Sequence, residues 1–247
     1  MKKLLILQMR PEDEPTESEF DTIVRLGEID KDLVHRIRVE KGEEPDVDLD
    51  NYFAIIAGGS PFDVSSPPEK KSDAQKKVES FFNQLFNKVV QNDFPFLGAC
   101  SGNGLLGNYL GSKISGTYGE PIGTVMIQIT QAGEKDDLLA GLPSPFRAFV
   151  GHKEACDTLP PNAVLLATSA TCPVQMFRIK NNIYATQFHP EADEGEYVVR
   201  IRAYKHYGYF PPEEADTLLR EIRGVKTPYS HEILRRFVAK YKSKTSF

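Results

Sequence analysis

A chain of 247 residues is long enough to bury a core of its own and, at about 150 residues per domain, allows one large domain or two small ones. Its 30 Lys and Arg against 35 Asp and Glu leave a net charge of −5, which excludes the basic field with which nucleic-acid binders displace counterions. With 40% hydrophobic and 26% charged residues it lies far from the disordered regime. Lys2 and Lys3 precede an apolar run of only Leu4 to Leu7, too short for the core of a signal peptide, and no membrane span is expected anywhere in the chain. Cys100, Cys156 and Cys172 are odd in number and form no Cys-x-x-Cys pair. That argues against a disulfide framework and against a zinc site, and for a reducing, cytoplasmic setting.

Leu4 to Gln8 and Tyr52 to Ala57 are short, nearly continuous apolar runs of the kind buried on both faces of a parallel sheet, while Leu33 to Val39 alternates apolar and polar residues. Val78, Phe81, Phe82, Leu85, Phe86, Val89 and Val90 recur at helical spacing behind a capping box of Ser72 with Gln75. A strand over Phe94 to Ala99 leads through a glycine-rich turn into a helical run from Leu105 to Leu110, so the first half reads β-α-β-β-α-β-α with parallel crossovers. Ile122 to Thr130, Phe146 to Val150, Val164 to Ala167, Val174 to Ile179 and Ile183 to Phe188 predict an antiparallel extension of the sheet. Beyond residue 195 the pattern is helical. Pro211, Pro212, Glu213 and Glu214 open a helix that Gly224 closes, and Ser230 is placed to cap a last one carrying Ile233, Leu234, Phe237, Val238 and Tyr241. The chain thus reads as one α/β domain with a mixed, mostly parallel central sheet flanked by helices. Residues 195–247 form a helical extension packed on it, with no chemistry assigned. Glu12, Asp13 and Glu14 read as a solvated loop, and Tyr204, Tyr207, Tyr209 and Phe210 as packing.

Three segments carry chemistry. Gly98-Ala99-Cys100-Ser101-Gly102 sets a cysteine at a strand-to-helix junction between two glycines, the form of a nucleophile elbow. The positive end of the following helix is expected to favour thiolate over thiol, and the Ser101 amide to face a developing oxyanion. Downstream, His189-Pro190-Glu191 pairs a base with an orienter: Pro190 holds His189 extended, and residues i and i+2 of an extended chain project to one side. A cysteine nucleophile needs such a histidine to take its proton and return it to a leaving amine, and the histidine needs a carboxylate to fix its tautomer. Ala57-Gly58-Gly59-Ser60 ends a strand with two glycines whose amides suit a second oxyanion donor, or equally a plain loop.

Together these segments resemble the class I glutamine amidotransferases, a Cys-His-Glu triad family on a flavodoxin-like sheet, and among them the stand-alone GMP-synthase-like domains. The resemblance runs from residue 1 to about 191 on Gly98, Cys100 and Gly102, on His189, Pro190 and Glu191, and on Gly58 and Gly59. It implies that Cys100 attacks the γ-amide of glutamine or a related γ-glutamyl compound and that Gly59 and Ser101 hold the oxyanion. It further implies that His189, oriented by Glu191, releases ammonia to a synthase or other acceptor subunit, with neither metal nor cofactor. Gly151-His152-Lys153-Glu154 resembles the family's Ser-His-Gly-Asp and makes His152 a candidate for lining the substrate pocket. The family usually carries Gln four residues after the nucleophile, and here stands Gly104, which leaves the substrate open. A γ-glutamyl peptidase and a catalytically idle binding module are the alternative readings. The chain shows no Ser-Gly-Gly-x-Asp-Ser segment for ATP, so it is not expected to make GMP alone.

Overall fold

The structure, a computed structural model, describes residues 2–42 and 46–243; the last residues of the expected C-terminal extension, 244–247, lie outside it. The chain runs β1 (Lys3–Gln8), α1 (Asp13–Leu26), β2 (Val34–Arg38), β3 (Tyr52–Ala57), α2 (Asp73–Gln91), β4 (Phe96–Ala99), α3 (Ser101–Tyr109), β5 (Ile114–Ser115) and β6 (Glu120–Ile129). It continues through β7 (Phe146–His152), β8 (Ala155–Cys156), β9 (Ala163–Thr168), β10 (Met176–Ile179), β11 (Ile183–Thr186), α4 (Glu194–Ala203), α5 (Ala215–Glu221) and α6 (Pro228–Lys242).

Among the described residues nine strands form one sheet in the order β2-β1-β3-β4-β11-β10-β9-β6-β7. From β2 to β11 neighbours are parallel, and from β11 to β7 they are antiparallel, so the predicted parallel half and antiparallel extension meet at β11. Parallel strands covered on both faces read as unbroken apolar runs, and β3, YFAIIA, is buried at every position. One core layer packs α1 and α6 on the sheet through Ile23, Leu234 and Phe237; α2 and α3 cover the other face through Phe82, Phe86 and Leu106. A third cluster joins α4 and α5 to Ile122 and Phe149 of the antiparallel half.

Three local expectations are corrected. Asp13 and Glu14 are the first turn of α1 rather than a loop, because carboxylates there complement the unsatisfied amides of the helix start. Ser72 does accept from the Gln75 amide, but the Gln75 side chain turns to the Asp63 carbonyl and Glu79 instead of closing a capping box. The last helix starts at Pro228, whose missing N–H is no loss at that position, so Thr227 is the cap residue and Ser230 lies inside, donating back to the Thr227 carbonyl.

Candidate active site

Cys100 stands between the end of β4 and the start of α3 with φ +52°, in the left-handed region that a side chain rarely adopts. Its amide donates to the Thr186 carbonyl of β11 at 2.8 Å and its carbonyl accepts from Gly104 at 3.0 Å, so the strained turn is fastened on both sides. The crossing is tight. A Cβ on Gly98 would lie 2.7 Å from the backbone of Gly102, which is why no larger residue fits there. Ser101 secures the neighbouring loop, its Oγ accepting from the Ser60 amide at 2.8 Å.

His189 follows β11, its amide bonded to Phe149 of β7 at 2.9 Å, and its Nδ1 lies 2.5 Å from Glu191 Oε1. Below this pair is a buried ion network that no motif announced. Arg200 of α4 reaches Glu191 Oε1 at 3.1 Å, bonds Glu196 through Nε, and lies 3.7 Å from Glu19 of α1. Glu19 in turn accepts from Arg10 Nε at 2.9 Å and from Gln8 at 3.1 Å. Every member is nearly or completely removed from solvent.

Cys100 and His189 line one cavity, which has two lobes. The first is walled by Phe62, Asp63, Ser101, Gly104, His152 and Lys153; the second by Arg10, Ile122, His189, Tyr197, Arg200 and Tyr204. Cys100, Ser60 and Tyr209 border both. Ser101, Gly104 and His152, the residues expected at the substrate, all line this first lobe. A Cβ at Gly104 would meet only Val64, at 3.8 Å, so this wall is open. Both nitrogens of His152 are engaged, Nε2 with Glu120 at 2.7 Å and Nδ1 with the Glu154 carbonyl at 3.0 Å, so the ring braces the lobe.

Gly58 and Gly59 are placed differently from expectation. The Gly59 amide donates to Glu19 Oε1 at 3.2 Å, and Cβ atoms at Gly58 and Gly59 would lie 2.5 Å from the Glu19 carboxylate and 2.4 Å from Arg10 Nη2. These glycines back the Arg10–Glu19 pair: a fully buried carboxylate needs donors, and this amide supplies one. The aromatic residues expected to be packing divide. Phe210 joins a core cluster and Tyr207 is exposed, but Tyr204 and Tyr209 line the cavity, so the C-terminal extension does contribute to the site.

Residues 31–202 match the family profile of glutamine amidotransferase class-I, well over half of the chain. The chain belongs to the class I glutamine amidotransferases. Among curated relatives, a glutamine-hydrolyzing GMP synthase subunit of Pyrococcus abyssi is 33% identical over 156 residues, covering 62% of this chain and 77% of that protein. The protein of the same name from Thermoplasma acidophilum is 27% identical over 144 residues, covering 58% and 64%. The match to its Methanococcus maripaludis counterpart spans 58% of that protein. A glutamine amidotransferase from Thermotoga maritima superposes with TM-score 0.76 at 20% identity over 98% of both chains, and one from Methylobacillus flagellatus with 0.73 at 16% over 98% and 96%; at these identities the likeness is one of fold. Among the described residues no helix is long and apolar enough to cross a membrane.

In this amidotransferase the helix end does not create a thiolate. Burial pushes the Cys100 thiol up to about 11, against the pull of Arg10 and Arg200. Burial, with the Arg200 charge beside the ring, holds His189 down to about 4 despite Glu191. Burial alone would raise Glu191, but His189 and Arg200 take it to about 2. The site therefore rests with a neutral thiol and, lining the same cavity, a neutral imidazole whose Nδ1–H donates to an ionised carboxylate. A base of this kind stays unprotonated far into acid, so the acid limb of kcat/KM is expected near pH 4 rather than the ordinary 6.5. A pH-rate profile, with circular dichroism checking the fold at each point, reads this directly; an acid limb at 6.5 would contradict it.

The residues that sequence reasoning missed are Arg10, Glu19, Glu196 and Arg200. For Arg10 a signal existed: it lies just past the carboxyl end of β1, the edge at which open α/β sheets bind ligands. Arg200 sits in an ordinary amphipathic run, and nothing in its neighbours marks it.

Proposed function

We propose that the protein hydrolyses the γ-amide of glutamine through a γ-glutamyl thioester on Cys100 and passes ammonia to a synthase or other acceptor subunit. The observation that carries this reading is the strained elbow cysteine sharing a cavity with a buried His189–Glu191 pair. Cys100 Sγ bonds to the amide carbon and gives its proton to His189 Nε2; as the C–N bond breaks, His189 protonates the departing nitrogen. The Ser101 N–H, first in α3 and so without an intrahelical partner, receives the oxyanion. Glu191 keeps the tautomer in which Nε2 accepts. In this reading Lys153 Nζ and Asp63 Oδ2, 2.7 Å apart in the first lobe, are the opposite charges that hold the α-carboxylate and α-ammonium of the γ-glutamyl group. The synthase partnership rests on the names of the curated relatives.

Glutamate release from glutamine, counted in a coupled assay, is expected from the intact chain and at background from Cys100→Ala, whose melting temperature stays within a few degrees. Equal rates from both would overturn the reading. The assay is run with and without an acceptor synthase, the partner that takes up the ammonia in this reading.

A further inference from the structure

A nucleophile that cuts an amide has an acyl side and an amine side, and Cys100 borders both lobes of the cavity. Only the second contains His189. Because His189 must protonate the departing nitrogen, that lobe receives the leaving group. Ammonia asks nothing of its walls, yet a buried guanidinium stands there. Arg10 is 3% exposed; it gives Nε to Glu19 at 2.9 Å and Nη1 to the Tyr204 hydroxyl at 3.2 Å, and its Nη2 has no acceptor among the described residues. A methyl group on Gly59 would lie 2.4 Å from that Nη2 and 3.2 Å from His189 Cε1, so the free donor and the imidazole that serves the leaving nitrogen pack side by side against Gly59.

Within the cysteine-hydrolase reading above, on which this rests, we propose that the second lobe recognises a carboxylate on the leaving amine, Arg10 Nη2 being its donor. Beside glutamine, the enzyme then takes γ-glutamyl amino acids in preference to γ-glutamyl alkylamides. In an α-amino acid the nitrogen and a carboxylate oxygen are roughly 3 Å apart, so one small residue touches both His189 and Arg10. A guanidinium bond to a carboxylate is charge-assisted and geometrically selective. The step balances without a co-reactant. The Cys100 proton passes through His189 to the amino acid as the C–N bond breaks, and water then replaces sulfur on the γ-glutamyl carbonyl carbon, its proton returning to Sγ through His189.

The test compares kcat/KM for γ-glutamylalanine, γ-glutamylethylamide and glutamine on the full chain. The ethylamide has the same reach and no carboxylate. γ-Glutamylalanine is expected to exceed it by about tenfold or more, and Arg10→Lys to bring the ratio to within about threefold. Should Arg10→Lys fail to fold, product inhibition of the unaltered protein gives the same reading, alanine inhibiting about tenfold more strongly than ethylamine. Equal rates on the two amides, equal inhibition by the two amines, or a ratio that survives Arg10→Lys would overturn the assignment while glutamate is still released. No release from any of the three compounds would instead remove the cysteine-hydrolase reading beneath it.

Discussion

Glu191→Gln is expected to lower kcat for amide hydrolysis about 10⁴-fold, the size of effect that follows when a triad carboxylate becomes an amide. In the intact site Oε1 accepts from His189 Nδ1 at 2.5 Å, which leaves Nε2 free to take the thiol proton. A glutamine can present its NH₂ group to Nδ1, and the ring then carries its proton on Nε2 and cannot act as base. With Cys100 pushed up to about 11, no reservoir of thiolate compensates for a lost base. Steady-state kinetics on glutamine, beside a thermal melt to separate chemistry from folding, decides the matter. A loss below about tenfold would mean that the imidazole is held in its working tautomer by something other than Glu191.

Arg200→Met is expected to have the largest effect on stability. Arg200 reaches Glu191 at 3.1 Å, Glu196 through Nε and Glu19 at 3.7 Å, and all three carboxylates are buried. Removing one side of a buried ion network leaves its charges uncompensated, at a cost of about 3–5 kcal/mol. For a chain of this length that is a fall of about 6–20 °C in Tm. The sign of the pH dependence follows from Glu196. Burial has already raised it to about 7 against an ordinary 4.5 despite Arg200 and Arg10, so the folded state takes up this proton before the unfolded chain does. The contribution is full below about 4.5 and lost as pH rises through 7, and without Arg200 it grows. The Tm difference between the two proteins is therefore expected to narrow between pH 7 and pH 5, where His189, titrating near 4, stays neutral in the folded state. A scanning-calorimetry series over that range tests it; a gap that widens toward acid would contradict the network's role.

Local pattern carried far. The capped apolar stripe of α2, the unbroken runs of β1 and β3, and the two glycines around Cys100 are each dictated within a few residues, so they could be read in order along the chain. The same holds for His189 and Glu191, whose contact is fixed by two residues of extended backbone and a proline. What misled was equally local. A helix N-terminus beside a cysteine suggests an easily ionised thiol, but how deeply that thiol is buried depends on α4, on Tyr209 and on the loop at Ser60, all of which arrive from elsewhere.

The amino-acid order alone determined the fold class, the elbow and the His-Glu pair, because backbone preference and side-chain periodicity act over neighbouring residues. Only the folded chain decided that Glu19 occupies the Gly59 amide, that Arg200 lies under Glu191, and that Arg10 faces the leaving-group lobe. The ions of this network meet across as many as 181 positions, as from Glu19 to Arg200. Their charges are tolerable in the interior only in one another's company, and sequence spacing carries no record of which buried ions will meet.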